Sequence, residues 1–299
     1  MTLQQLKYVV TVAECGNITE AAKQLFVSQP TVTSAIHDLE KEMQIVIFVR
    51  TNKGVILSED GERFLGHARQ VLEQVDLIEG IYKNDVVSKP HFAVSCQHYS
   101  FAVNAFVDVI RRFDAYQYDF TIREEQTHEI IEDVTNLKSE LGVIYLSSKN
   151  TEVLSKMLKR NELEFTELFT ATPHVFICDS HPLASKNSIT MDDLQDYPYL
   201  TYEQGEYNSQ YFSEEFVSTL DSRKNIRVRD RATLFNLIIG LNGYTVCSGV
   251  ISAELNGRNI ISKPLDVKEY MRIGIITRKG VVLSRYAREY IEALKAHCM

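Results

Sequence analysis

The feature that most limits the fold of this chain is a pair of short amphipathic segments near the amino terminus, "ITEAAKQLFVSQPTVTSAIHDLEKE", residues 18–42. Apolar residues recur at helical spacing in both halves, and only Phe26 and Val27 separate them. Small Ala21 and Ala22 allow the two helices to approach closely, while Ser28 is suited to cap the second helix. The pattern predicts a helix-turn-helix whose second helix projects from the surface.

The projecting helix carries polar side chains away from its apolar stripe, at Gln29, Thr31, Thr33, Ser34 and His37. A helix presented in this way fits the major groove of DNA, with its first residues at the base edges. The next stretch, "VIFVRTNKGVILSEDG", predicts a β-hairpin that turns at residues 51–54. Because Arg50 and Lys53 flank the turn, we expect this hairpin to be a basic wing that touches the DNA backbone or minor groove.

Overall charge does not by itself indicate a nucleic-acid binder, because the chain has a formal net charge of −8. Within the first 57 residues, five basic side chains are matched by five acidic ones. Phosphate contacts need only a local basic edge, so a DNA-binding role depends on where the charges lie.

A longer helix is predicted to follow, over residues 59–88. Ser58 can cap it, and the acidic Glu59 and Asp60 suit its first turn. Apolar residues then recur in alternating steps of four and three, at Phe64, Ala68, Val71, Val75, Ile78 and Tyr82. Such a seam also fits a helix that lies on its own domain. Its position between a DNA-binding head and a separate body favours a linker that forms a homodimer.

From residue 89 onward, strand-like and helical segments alternate, which predicts an α/β body. "HFAVSC", "DFTIRE" and "LGVIYL" are predicted strands of a first lobe, comprising residues 89–165 and 266–299. "HVFICD", "PYLTY", "NIRVRD" and "YTVCSG" are predicted strands of a second lobe, residues 166–265, which also holds a predicted helix at 211–220. Two similar lobes indicate a protein that binds small molecules in a cleft and closes about a hinge.

Residues 3–65 resemble the amino-terminal domain of LysR-type transcriptional regulators. The resemblance lies in AA-x-x-L-x-V-S-Q-P from Ala21, the hydroxyl residue Thr33, I-x-x-L-E from Ile36, F-x-R from Phe48, and S-x-x-G from Ser58. A weaker resemblance covers the remainder of the chain, in "DSHPLA" at residues 179–184 and "LFNLIIGLNGYTVCSG" at residues 234–249.

The resemblance implies an α+β multi-domain protein: an all-α winged helix-turn-helix at residues 1–58, the linker helix at 59–88, and a two-lobed α/β effector domain at 89–299, like periplasmic binding proteins. It also implies a homodimer through the linker, assembly into a homotetramer, and binding to double-stranded promoter DNA with bending. The residues expected at the DNA are Ser28, Gln29, Pro30, Thr31, Thr33, Ser34, His37, Arg50 and Lys53. Ser34 and His37 depart from the basic residues common in the family at those positions, which weakens the electrostatic share of binding.

The predicted effector site begins in the loop between the first strand of the body and its helix. This loop comprises Ser95, Cys96, Gln97, His98, Tyr99 and Ser100. Free N–H groups at the start of a helix suit an anion, so we expect a small carboxylate, an amino acid or an oxyanion as effector. The resemblance places ligand contacts in this loop and at Thr127, with Tyr202 and Thr245 facing them from the other lobe. Glu124 and Glu125 are expected to be solvated charges rather than partners of a ligand ammonium.

The cysteines indicate neither a disulfide framework nor a metal site, because all five are scattered and none forms a CxxC pair. Cys96 and His98 resemble a thiol–imidazole pair, but no orienting acid accompanies them, so no enzymatic activity is expected. Cys178 and Cys247 lie in predicted strands of one lobe and are potential neighbours, although buried, inert thiols are expected. No metal or cofactor is expected.

The amino-terminal stretch lacks an export signal and no apolar run suits a membrane span, so a cytoplasmic protein without membrane association is expected. Neither GxGxxG nor GxxxxGK[ST] occurs, which argues against a nucleotide enzyme. The favoured prediction is a DNA-binding regulator controlled by a small-molecule effector. The alternative is a cytoplasmic solute-binding or redox-sensing protein that uses the two-lobed body.

Overall fold

A computed structural model describes residues 1–52, 54–83, 90–113, 117–205, 211–215, 223–251 and 259–298. It separates into two compact units: Met1–Pro90 with Asn136–Lys138, and His91–Thr135 with Ser139–Met299. Among the residues described, no helix is long and apolar enough to cross a membrane.

The first unit begins with three helices and a hairpin, followed by one long helix: α1 Leu3–Cys15, α2 Ile18–Gln24, α3 Gln29–Met43, β1 Phe48–Thr51, β2 Gly54–Leu57 and α4 Glu59–Lys83. Side-chain caps begin the three short helices, because Thr2, Asn17 and Ser28 each accept a backbone N–H of the first turn. Ala21 and Ala22 are buried between the helices, as the helix-turn-helix prediction requires.

The wing is joined to α3 through one carboxylate. Glu40 Oε1 accepts hydrogen bonds from the N–H groups of Ile47 at 2.7 Å and Phe48 at 3.1 Å, where β1 begins. Across the hairpin, a Cβ at Gly54 would lie 2.3 Å from the carbonyl oxygen of Gly16, so a glycine is required there. The wing is therefore held to α3 at one end and to the α1–α2 turn at the other.

The long helix α4 starts at the predicted cap, where Ser58 Oγ accepts the Gly61 N–H at 2.9 Å. Near its start the predicted apolar seam is buried, with Ala68 2% exposed. Further along it is open, with Val71 41% and Ile78 57% exposed. The side chain of Tyr82 and residues 84–88 of the predicted linker lie outside the described part of the chain.

The first lobe of the second unit is built from these elements: β3 His91–Cys96, α5 Ser100–Arg112, β4 Asp119–Glu124, α6 Thr127–Thr135, β5 Leu141–Leu146, α7 Thr151–Arg160, β6 Leu163–Ala171, β12 Met271–Arg278 and α9 Arg285–Cys298. Its strands form a five-stranded sheet in the order β4-β3-β5-β12-β6, in which β12 is antiparallel to its neighbours and the β3 pairings are parallel. An aromatic cluster that includes Phe92, Phe106 and Tyr290 packs in its core.

A second group of strands forms the other lobe: β7 His174–Cys178, β8 Tyr199–Tyr202, β9 Asn225–Val228, β10 Thr245–Cys247 and β11 Ile260–Pro264, with helix α8 Arg231–Leu241. They make a three-stranded antiparallel sheet, β10-β7-β11, and a parallel pair, β8-β9. The predicted lobe division at residues 165/166 falls inside β6, which pairs with β12 along its length. The chain therefore changes lobe after Ala171, because strand pairing continues past the predicted boundary.

The helix predicted at residues 211–220 does not begin where expected. Residues 211–215 form turns and bends, and residues 216–220 lie outside the described part. Buried hydrogen bonds of Ser213, Glu214 and Glu215 replace the helical ones in this stretch. Tertiary contacts here outweigh local helix propensity.

Candidate functional sites

Helix α3 separates its buried and exposed faces as the sequence indicates. Val32 and Leu39 are fully buried and Ile36 is 5% exposed. Of the residues in this segment that were predicted to contact DNA, Thr33 is half-buried and the others are exposed, namely Ser28, Gln29, Pro30, Thr31, Ser34 and His37. The amino-terminal turns of α3 thus offer amide, hydroxyl and imidazole groups to the outside.

Short side-chain bonds organise this surface. Gln29 Nε2 donates to Thr33 Oγ1 at 3.0 Å, and Thr33 Oγ1 donates to the Gln29 carbonyl at 3.0 Å. Ser28 Oγ lies 2.7 Å from Thr31 Oγ1. The Gln29 amide is therefore held against Thr33 on the exposed side of the helix. On the wing, Arg50 is exposed on β1, and Lys53 falls outside the described residues.

The first three residues of the predicted effector loop point into the protein. Ser95 Oγ donates to Asp133 Oδ2 at 2.8 Å, and Cys96 is fully buried in the core. Gln97 is 1% exposed and its Nε2 donates to Thr127 Oγ1 at 2.7 Å. These three residues make internal contacts and do not line the cavity that the second half of the loop reaches.

Thr127 is likewise an internal contact. Its Oγ1 donates to the Phe212 carbonyl at 2.8 Å, and its N–H donates to Gln204 Oε1 at 3.1 Å. Through these bonds, Thr127 holds the segment that carries Ser213 and Glu214 against the first lobe.

His98 and Glu214 form the central polar contact of this region. The His98 N–H donates to Glu214 Oε2 at 2.9 Å, and His98 Nδ1 lies 3.0 Å from Oε1 and 2.9 Å from Oε2. Each side chain is 4% exposed. The imidazole also stacks on Tyr202, with ring centroids 3.9 Å apart. Burial lowers the pKa of His98, but the Glu214 charge and hydrogen bond outweigh it, so this pKa is raised.

The second half of the loop reaches a small cavity. Its volume is about 30 Å³, which is room for about two water molecules. Five predicted effector residues line it, His98, Tyr99, Ser100, Tyr202 and Thr245. The lining residues that were not predicted include Phe176, Glu214, Glu215, Arg231, Phe235 and Ser248.

One buried hydroxyl of this cavity is unsatisfied. Thr245 is 4% exposed, and its Oγ1 has no hydrogen-bond partner within the described part of the chain. Such groups cost free energy unless water or a ligand bonds to them, so the Thr245 hydroxyl is available to a polar atom that enters the cavity.

The ionisable groups around the cavity are mostly acidic. Burial raises the pKa of Glu215 to about 8, helped by the adjacent Glu214 charge, although Glu215 accepts the Tyr202 N–H at 2.7 Å. Burial also raises the pKa of Glu124, which pairs with Arg231 at 3.1 Å. Glu124 is thus an internal ion-pair partner, whereas the sequence favoured a solvated charge there.

Two of the cysteines, Cys96 and Cys247, have thiols that are difficult to ionise. Burial raises the pKa of Cys96 well above its ordinary value and raises that of Cys247. Cys178 and Cys247 lie on neighbouring strands, but Cys247 pairs with His174, four residues before Cys178, a distance of about 13 Å along the strand. The suggestion from the sequence that these two thiols are neighbours is therefore wrong, because the strand register separates them.

Two family models match the chain. The model described as "Bacterial regulatory helix-turn-helix protein, lysR family" matches residues 3–62. The model described as "LysR substrate binding domain" matches residues 96–299. Together these matches cover more than half of the chain.

Individual relatives align with this chain over almost its full length. The HTH-type transcriptional regulator YvbU of Bacillus subtilis is 26% identical over 298 residues, covering 99% of this chain and 98% of that protein. The DNA-binding transcriptional dual regulator OxyR of Escherichia coli is 22% identical over 302 residues, covering 99% and 95%. The structure of a single-substitution variant of full-length OxyR from Pseudomonas aeruginosa has a TM-score of 0.65 at 21% identity, covering 99% of this chain and 95% of that one. These likenesses establish the fold.

Proposed function

The chain belongs to the LysR family of helix-turn-helix transcriptional regulators, and from this premise we propose that α3 reads promoter DNA under the control of a ligand bound beside His98. The exposed amino-terminal half of α3 carries this proposal. Its polar side chains project from a buried apolar stripe, which is the arrangement that fits a major groove.

In this proposal Gln29 supplies base discrimination, because a glutamine amide can form paired hydrogen bonds with adenine. The neighbouring residues Ser28, Pro30, Thr31, Thr33, Ser34 and His37 complete the recognition surface. Arg50 and Lys53 of the wing contact phosphates, which adds affinity without sequence preference.

The proposed domains are a DNA-binding head at residues 1–58, a linker helix at 59–88 and an effector domain from 89. Two chains associate through the open part of the α4 seam, where Val71 and Ile78 are exposed. Dimerisation places two recognition helices on one DNA, and pairing of dimers gives a homotetramer. The protein is proposed to act in the cytoplasm, where it meets promoter DNA.

The effector is proposed to bind in the cavity lined by His98, Tyr99, Ser100, Tyr202 and Thr245. The unsatisfied Thr245 hydroxyl supports this location. A ligand that favours one lobe arrangement shifts the protein between conformations, and coupling on the order of 1–3 kcal/mol would change DNA affinity or bending.

The test is selection of preferred DNA sequences by the full-length protein, followed by fluorescence anisotropy on the selected and scrambled duplexes. Gln29→Ala is expected to reduce the preference for the selected duplex by about 1–3 kcal/mol while retaining nonspecific binding. Gln4→Ala, which removes an exposed glutamine from α1, is the matched control. Unchanged preference in Gln29→Ala would show that α3 does not read the bases through this residue.

A further inference from the structure

Glu214 occupies a site that is shaped for a carboxylate. Both of its oxygens are bound: the His98 N–H donates to Oε2, the His98 imidazole contacts both oxygens, and Gln204 Nε2 donates to Oε1 at 3.2 Å. The site lies just before α5, where an anion was expected from the sequence. The expected anion position is therefore filled by a carboxylate of the protein itself.

The remaining space beside Glu214 does not suit a metabolite. Its 30 Å³ admits only water-sized molecules, whereas ligand pockets are usually about 300–1,000 Å³. The same cavity nevertheless contains the buried, unsatisfied Thr245 hydroxyl. A ligand that bonds to Thr245 therefore needs space that a protein group now takes.

We propose that Glu214 is an internal ligand, and that an effector bearing a carboxylate binds by displacing it from His98 and Gln204. The proposal rests on the proposed function, in which this cavity is the effector site. The effector carboxylate takes over the same donors, while a second polar group of the effector reaches Thr245.

Exchange of one carboxylate for another keeps the charge of the site constant. His98 faces Glu214 on its Nδ1 side and the Arg229 carbonyl on its Nε2 side, at 3.1 Å. Glu124, Arg231 and the largely protonated Glu215 complete the ionisable groups around the cavity. An incoming cation would leave the His98 donors bound to Glu214 and would gain no new space, so the geometry favours an anion.

Displacement also supplies a physical link to conformation. Next to Glu214, Glu215 accepts the Tyr202 N–H and the Ser213 hydroxyl, so Glu215 holds this segment to Tyr202 in the second lobe. Release of Glu214 removes the bond between that segment and the His98 loop of the first lobe. Effector binding thus replaces a contact between lobes with contacts through the ligand.

The test is chemical rescue of the full-length protein without DNA. Glu214→Ala leaves a vacancy that matches acetate, because acetate has the atoms of the deleted methylene and carboxylate. Saturating sodium acetate is expected to raise the melting temperature of Glu214→Ala by at least about 4 °C. The wild type and Glu152→Ala, which removes an exposed carboxylate from α7, are expected to respond no more than they do to sodium chloride.

A second variant retains the packing. Glu214→Gln keeps the shape but weakens the internal ligand, so its apparent affinity for acetate is expected to exceed that of the wild type by at least about tenfold. The His98 ring resonances provide the readout, since acetate binding to the variant restores an anion beside the imidazole. Acetamide is the neutral control for both variants.

Selective rescue by acetate supports the internal-ligand proposal. An equal response to acetamide, or equal acetate affinity in the wild type and both variants, overturns it. Because no DNA is present, either result is independent of the DNA-binding assay. Ligand-controlled DNA binding without acetate rescue would retain the proposed effector control and reject the internal ligand. Acetate rescue with ligand-insensitive DNA binding would retain the carboxylate site and reject the effector control.

Discussion

Glu215 provides a sharp test of the electrostatics of the ligand cavity. Its side chain is buried next to Glu214, and these two features raise its pKa from 4.5 to about 8. The folded protein therefore holds this proton more tightly than the unfolded chain does. The resulting stabilisation is fully present below about pH 4.5 and is lost as the pH rises through about 8.

The magnitude follows from the two pKa values. Between about pH 5.5 and pH 7.5, an unfolded glutamate is ionised while folded Glu215 remains largely protonated, so the free energy of unfolding falls by about 2 kcal/mol through this group. Glu215→Gln removes the titrating proton and keeps an acceptor for the Tyr202 N–H. As the pH rises over this range, we expect the free energy of unfolding of the variant to increase by about 2 kcal/mol relative to that of the wild type.

The assay is urea unfolding of the full-length protein at several pH values, followed by tyrosine fluorescence. All tyrosines except Tyr8 and Tyr82 lie beyond residue 90, so the signal reports mainly on the second unit. The difference between variant and wild type removes the contribution of other titrating groups, including His98, to the pH dependence of unfolding. Glu292→Gln, at an exposed position of α9, is the matched control. If Glu215→Gln shows the same pH dependence as the wild type within about 0.5 kcal/mol, the buried-proton argument is wrong.

Two further perturbations test the first unit and the thiols. Gly61→Ala would place a Cβ 2.1 Å from the Ile47 carbonyl oxygen, so it should destabilise the first unit by about 1–3 kcal/mol and weaken DNA binding. Thermal unfolding measures this loss of stability against the control Gly240→Ala, whose added methyl meets no neighbouring atom in the described part of the chain. Equal stability of the two variants would contradict the prediction. Iodoacetamide at mildly alkaline pH should modify the partly exposed Cys15 before Cys96, because burial raises the pKa of the latter; peptide mass spectrometry measures the order, and rapid modification of Cys96 in the folded protein would refute the placement.

The head of the protein was largely predictable because its signals are local. Helical spacing fixes which side of α3 is buried, and Ser28 caps the helix with bonds to residues three positions away. The hairpin likewise connects neighbouring strands through a short turn. The role of Glu40 was not predictable from such signals, since it reaches the backbone of Ile47 and Phe48 only after α3 and the wing have packed.

The body was predictable as a series of strands and helices, and its family was confirmed. The predicted change of lobe, however, came too early in the chain. Strand β6 was missed because its mixture of charged and apolar residues lacks a clear buried run, and only its pairing with β12 assigns it to the first lobe. Ser95 and Cys96 were assigned both to the strand "HFAVSC" and to the effector loop, and the structure places them in the strand. The side chains of Ser95 and Gln97 turn inward because buried partners are available there.

The sequence by itself determined the helix-turn-helix, its exposed polar face and the alternation of elements in the body, since these follow from spacing between near neighbours. Only the tertiary structure decided that Glu214 meets His98, because 116 positions separate them and no local pattern relates the two. The same holds for the cavity, whose walls come from both lobes. Burial then raised the pKa of Glu215 and Glu124 beside this cavity, because removal from water penalises the charged form of a carboxyl group.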